Sequence, residues 1–420
     1  MTVHVPPEFQ LWHRLARAYR QGTLPMRIAA RARNVWRVLR SARHVLRNLT
    51  SHRIRLHCPQ YVEPDRTERP LVERIFNAFK AMKTTQPDQA SCYQPSSMWQ
   101  AFLDDAYSHL GAGLKLNNLD TFHYFLANFG AWKRYTAVES SVLIRSHARW
   151  WLGRLYLQHD VFGHQLRIWQ WFYNGQRPLA RLTYPMHGNQ AGAYIDGLFV
   201  GVGSFFNEIY GSLLAGLVAD LPRPVVAELG AGYGKLAHFT LRDLKAFTYV
   251  DFDLPETLCL AAYYLMKAFP DKRALLYGEA PYTPELHATH DLIFLPSWEI
   301  ASLGPETVDL FMNKNSLGEM SKPAVCNYVE HIVRATRYFF HMNHDIRPNV
   351  LGNEGERALL GSEYPVPHDL FRLVFRYPDL GHLFALGTLD LSTDIFVYLY
   401  ERKTHRESDR AAHFAGAVPS

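Results

Sequence analysis

The chain has 420 residues, 48% of them hydrophobic, and carries a formal net charge of +6. That apolar content is ample for buried cores and excludes a chain disordered throughout, while no run of about eighteen uncharged apolar residues offers a membrane-spanning helix. The four cysteines, Cys58, Cys92, Cys259 and Cys326, are scattered without CxxC spacing. They read as reduced thiols of a cytoplasmic protein, which excludes a disulfide framework and a cysteine zinc site.

Residues 1–62 read as a basic extension. Between Phe9 and Val62 there are twelve arginines and no acidic residue, so the remainder of the chain is net acidic. Val35, Trp36, Val38, Leu39, Val45, Leu46 and Leu49 recur at roughly helical spacing, which predicts a basic amphipathic helix. Such a helix suits peripheral contact with an anionic surface, here the inner membrane, or an acidic partner. Packing on the protein's own body and a mitochondrial transit segment stay open. No apolar run follows the first charges, so no signal peptide is expected. No nucleic-acid-binding module accompanies the charge, so no specific nucleic-acid contact is expected either.

Residues 63–215 read as mainly helical, with Trp99, Phe102, Phe122, Trp132, Trp169 and Trp171 among the recurring aromatics. Within them Tyr184 to Gly197, YPMHGNQAGAYIDG, reads as a loop with a short hairpin, suited to a lid or a plain connector, and Ser204 to Val218 as a helix. From 216 to 420 strands and helices alternate. Strands are expected at Val225–Leu229, Phe247–Phe252, Ala274–Tyr277, Leu292–Leu295, Val308–Met312 and Tyr338–Met342, with helices at Glu256–Phe269 and Pro323–Arg334. The fold class is therefore α/β: a mostly parallel, Rossmann-like sheet behind a helical N-terminal region.

The turn after the first of these strands is Glu228-Leu229-Gly230-Ala231-Gly232-Tyr233-Gly234, with glycine at every second position. A dinucleotide site would need G-x-G-x-x-G, but the third-glycine position is Lys235. An acid two residues before the first glycine would also repel a pyrophosphate, whereas it suits a ligand bearing an ammonium. The spacing E-x-G-x-G-x-G resembles the first motif of S-adenosylmethionine (SAM) methyltransferases. That resemblance implies that Gly230, Gly232 and Gly234 pass the amino-acid part of SAM, with Glu228 near its amino group. It further implies that an acid ending the second strand accepts hydrogen bonds from the ribose hydroxyls. Asp251 and Asp253 compete for this role, and Asp253, in an Asp-Leu-Pro unit shared with O-methyltransferase families, is preferred.

The runs AELGAGYGKLA, YVDFDLPETLCLAAYYL, DLIFLPSW, VDLFMNKNSLGEM and NYVEHIVRATRYFFHMN together are similar to a bacterial family of sugar O-methyltransferases, over roughly Tyr184 to Asn343. The resemblance implies SAM as cofactor and a hydroxyl of a sugar or glycoconjugate as acceptor, in polysaccharide biosynthesis. It also implies that Leu370–Phe375 and Ile395–Tyr400 supply the antiparallel closing strand pair of a methyltransferase sheet. A small aromatic or secondary-metabolite hydroxyl is the alternative acceptor, and a non-catalytic scaffold retaining the cofactor fold the alternative from another class.

A sugar hydroxyl needs a base to remove its proton during attack. Candidates lie where strands end: Asn313, Lys314, Asn315 and Glu319 after one, His341, Asn343, His344 and Asp345 around another, and His187 in the preceding loop. His344, which its neighbour Asp345 could orient, and Glu319 are the expected catalytic residues. Trp298, with Glu299, is expected to flank the adenine. No compact carboxylate motif calls for a metal.

Overall fold

The computed structural model describes residues 51–132, 144, 148–351, 356–384 and 392–403. The amphipathic helix expected in the basic extension lies outside the described residues. The end of that extension is strand instead: β1 (Ile54–His57) pairs with β2 (Gly192–Ile195), which pairs with β3 (Leu198–Gly201) in a small antiparallel sheet. The hairpin expected in the 184–197 loop is thus present, with a third strand added.

The helical region comprises α1 (Arg69–Thr85), α2 (Ser97–Asp105), α3 (Ser108–Lys115), α4 (Leu119–Asn128), α5 (Trp151–Leu155) and α6 (His164–Phe172), the last two joined by a wider π-helical stretch. α7 (Ser204–Val218) follows the hairpin. The sheet region then runs β4 (Val225–Leu229), α8 (Lys235–Leu241), β5 (Thr248–Asp253), α9 (Pro255–Ala268), β6 (Ala274–Leu276), β7 (Leu292–Pro296), β8 (Val308–Lys314), α10 (Lys322–Ala335), β9 (Thr336–His344), β10 (Phe371–Pro378), α11 (Leu380–Leu383) and β11 (Ile395–Arg402). Among the described residues no helix is long and apolar enough to cross a membrane.

The strand order is β10-β11-β9-β8-β4-β5-β7-β6. Strands from β6 across to β9 are mutually parallel, while β11 runs antiparallel to both β9 and β10. This is the expected Rossmann-like sheet with its antiparallel closing pair. The parallel strands read as nearly continuous apolar runs because helices cover both faces. On one face Val226, Tyr249, Leu310 and Met312 pack with Leu214 of α7, Phe239 of α8 and Leu258 of α9. On the other, Ala227, Val250, Phe252 and Phe311 pack with Val325, Val329 and Ile332 of α10. The helical region is fastened to the first face, where Lys83 of α1 pairs with Glu256 of α9 at 2.9 Å.

From β4 the chain moves to β5 and β7 on one side, then returns to β8 on the other. The strand order reverses between β4 and β8, and the crevice above such a switch point is where ligands sit in open α/β sheets. The glycine turn after β4 and the 315–321 loop after β8 flank that crevice.

Candidate active site

Gly230, Gly232 and Gly234 all have left-handed backbone, with φ of 76°, 65° and 86°. A side chain is strained there, and at Gly230 there is no room for one: a Cβ would lie 2.4 Å from Ser316 Oγ. The turn is therefore closed from above by the loop after β8. Gly230→Ala is expected to destabilise the protein by at least about 1–2 kcal/mol from the left-handed conformation alone, with a matching loss in the midpoint of urea unfolding.

Three carboxylates interrupt these buried strands. Register places Glu228 beside Asp251, and the alternation of β5 puts Tyr249, Asp251 and Asp253 on the same face. Glu228 is buried and accepts one hydrogen bond, from Tyr249 Oη at 2.9 Å. Burial raises its pKa to about 7, and Asp253 adds repulsion. Asp251 is fully buried and neither oxygen has a hydrogen-bond partner of normal geometry. Burial, then repulsion from Asp253 and Glu228, pushes it well above the usual carboxylate range, with only the backbone N–H of Ala231 opposing. Asp253 is different. Its Oδ2 accepts from Gly232 N at 3.1 Å and its Oδ1 from Leu254 N at 2.7 Å, so its carboxylate lies directly on the glycine turn. Burial raises its pKa to about 6, opposed by the Thr257 side chain and then by those two backbone hydrogen bonds. Both competing acids face the turn, Asp253 accepting from Gly232 N and Asp251 lying against the N–H of Ala231.

Such carboxylates are costly to bury unpaired. A cation that acts on Glu228 is Lys314, the last residue of β8, which donates to Asn207 Oδ1 of α7 at 2.8 Å. Burial lowers its pKa, partly countered by Asp379 and Glu228. Among the described residues no cluster of His, Cys, Asp and Glu is arranged to hold a metal ion.

The loop after β8 is fixed by buried amides. Asn313 Nδ2 donates to Leu229 O at 2.9 Å and to Ser316 Oγ at 2.5 Å, and its Oδ1 accepts from Asn343 Nδ2 at 2.8 Å. Asn343 Oδ1 in turn accepts from Gly318 N at 3.0 Å. This network links the ends of β4, β8 and β9 and presents Glu319. The Glu319 carboxylate accepts from Trp99 Nε1 of α2 at 2.7 Å. Burial raises its pKa to about 7; Trp99 acts to lower it and Asp253 to raise it, which puts Glu319 within electrostatic reach of the turn.

His344 ends β9 beside the same loop, its Cδ2 lying 3.7 Å from where a Cβ on Gly318 would sit. Its partner is not the sequence neighbour Asp345, as expected, but Asp394, at 3.0 Å from Nδ1. The reason is strand alternation: successive residues face opposite ways. Asp345 turns to the far face, where it accepts from Tyr398 Oη at 2.7 Å and from Arg376. His341 is on that far face too, stacked on Tyr398 at 4.6 Å with neither ring nitrogen partnered, and burial drives its pKa down to about 3. His187 sits against Tyr264, toward the end of α9 remote from Asp253, and burial lowers its pKa to about 4.

Trp298 is buried in the core after β7, edge-on to Tyr277 at 6.1 Å, with its indole N–H unpartnered. Glu299 accepts from Ser302 at 3.4 Å. A cavity of about 440 Å3 lined by Arg181, Tyr184, His238, Arg242 and Asp243 lies by the far end of α8 and contains none of the expected site residues. Sequence reasoning missed Tyr249, although its period-two relation to Asp251 and Asp253 marks their common face. It also missed Asp394 and the specific role of Trp99, which no local pattern reveals.

No family model matches the chain, and no curated protein matches it in sequence. Solved structures to which it is similar include the mitomycin 7-O-methyltransferase MmcR, at 14% identity and a TM-score of 0.30, with 47% of this chain covering 57% of that one. Another is the magnesium protoporphyrin IX methyltransferase ChlM of Synechocystis PCC 6803 with bound SAM, at 15% identity, 47% and 79% coverage and a TM-score of 0.31. A third is a SAM-dependent methyltransferase from Aquifex aeolicus, at 14% identity, 47% and 92% coverage and a TM-score of 0.29. The chain spans a little over half the length of the first of these. Likeness at this level assigns no activity; the chemistry at the switch point has to do so.

Proposed function

We propose that this chain is a SAM-dependent O-methyltransferase whose acceptor is a hydroxyl of a sugar or glycoconjugate. One observation carries the cofactor: at the switch point, a glycine turn with three left-handed residues is capped by Asp253, with Glu228 buried beneath it and without an ion-pair partner among the described residues. A ribose presents two hydroxyl donors to Asp253, whose carboxylate has lone pairs left beyond its two backbone bonds. Glu228 favours the ammonium of the amino-acid end. The sugar acceptor rests on the resemblance of residues 184–343 and on nothing further in the site. The arginine-rich extension would add an electrostatic hold on an anionic membrane.

SAM, when bound, supplies an electrophilic methyl on a sulfonium. What remains for the protein is alignment and proton removal. Glu319 fits proton removal, because a carboxylate held near pKa 7 is substantially ionised at neutral pH and is basic enough to accept a proton there. His344, held through Nδ1 by Asp394 and 28% exposed, borders the same loop and is the second candidate for contact with the acceptor hydroxyl.

The test is thermal stability with and without SAM across pH. Without ligand, the raised pKa values of Glu228 and Asp253 contribute stability that is present in acid and is lost as pH rises through about 6 to 7. A cationic ligand favours their ionised forms, so the rise in Tm given by SAM is expected to grow over that same window. Absence of any SAM-dependent shift would sink the methyl-donor reading, and a shift that shrinks with rising pH would remove Glu228 from it.

A further inference from the structure

Lys314 and Glu228 are opposite charges that do not meet. Register pairs Glu228 with Met312, and Lys314, two residues further along β8, shares that face one step beyond the strand ends. Each acts electrostatically on the other, yet among the described residues they form no ion pair. Lys314 has three N–H donors and, among the described residues, makes one side-chain hydrogen bond, to Asn207 Oδ1. The other carboxylate acting on it, Asp379, is already taken: it accepts from Tyr210 Oη at 2.8 Å and from His382 N at 2.9 Å and Nδ1 at 2.6 Å. The amide nitrogen of Asn207 is also engaged, with Nδ2 donating to Gly203 O at 2.8 Å. Asn207 lies in the first turn of the fifteen-residue α7, so Lys314 shares its surroundings with the positive end of a helix. There the Ser204 hydroxyl is fully buried with no hydrogen-bond partner among the described residues. Lys314 and the first turn of α7 thus meet on the β8 side of β4, and Asp251 and Asp253 stand on its β5 side.

We propose that Lys314, positioned by Asn207 at the N-terminus of α7, is the seat of a carboxylate, and that Glu228 and Lys314 together read the two ends of an α-amino-acid group. The ligand is the methionyl part of SAM, so the inference rests on the SAM reading above and adds the residue that discriminates its carboxylate. A ligand that kept the amine and lacked the carboxylate would satisfy Glu228 and leave the ammonium of Lys314 unanswered.

The experiment is calorimetric binding of SAM and of decarboxylated SAM, which keeps the sulfonium and the amine, to the full chain and two variants. The wild type is expected to prefer SAM by about tenfold to a hundredfold, the worth of a charge-assisted hydrogen bond. Lys314→Met should remove that preference by weakening SAM and leave decarboxylated SAM within about threefold of wild type. Should Lys314→Met not fold, Asn207→Asp decides: it places a carboxylate against Lys314 and should weaken SAM while sparing the decarboxylated form. Equal loss of both ligands, or a wild type that does not distinguish them, overturns the assignment of Lys314. A wild type that binds neither overturns the SAM reading itself.

Discussion

Asp253→Ala is expected to weaken SAM binding by about a hundredfold, while Asp251→Asn should leave it within about threefold, both read by calorimetry. The two aspartates lie two residues apart on one strand face, yet their surroundings separate them. Asp253 already accepts from Gly232 N–H and Leu254 N–H, which hold its carboxylate against the glycine turn. Losing it removes two charge-assisted bonds to ribose hydroxyls and the anchor of the turn. Asp251 is pushed well above the usual carboxylate range by burial, which favours its uncharged form. An asparagine of the same shape is likewise uncharged. The reverse result, with Asp251→Asn severe and Asp253→Ala mild, would assign the ribose to Asp251.

Glu319→Gln is expected to lower kcat by about a hundredfold to ten-thousandfold with KM for SAM little changed, because the amide keeps the bond from Trp99 but cannot accept a proton. In the wild type, activity should rise with pH through about 7, where Glu319 ionises. Trp99→Phe removes a hydrogen bond that favours the ionised form, so the acidic limb of its pH profile should move upward. A wild-type profile without that limb, or Glu319→Gln with full activity, would pass the base role to His344, whose replacement by asparagine would then show the large loss.

Most of the sheet is legible in the sequence because its strands obey simple rules. VVAEL, LIFLP and VDLFM are short apolar runs bounded by turns, and glycines at 230, 232 and 234 signal a backbone that only glycine adopts easily. Strand ends are less legible: β5 continues to Asp253 and β8 to Lys314, so two residues expected just past the strands are held by strand pairing instead. The partners of the site are not legible at all. His344 finds Asp394 because β11 folds back antiparallel beside β9, a contact across 50 residues of chain. Ile54–His57 reads as the tail of the basic extension because arginine spacing says nothing about a hairpin more than a hundred residues away. Glu319 stands out in the sequence for its position after a strand, whereas its chemistry depends on Trp99 in another part of the chain.

That last contact changes what the helical region is for. If Glu319 takes the acceptor's proton, its readiness to do so is tuned by an indole from α2, far outside the sheet. Proton affinity at the site is then set in part by polypeptide outside the sheet. A variant or chimaera that exchanged the residues around Trp99 would reset the pH at which the enzyme works.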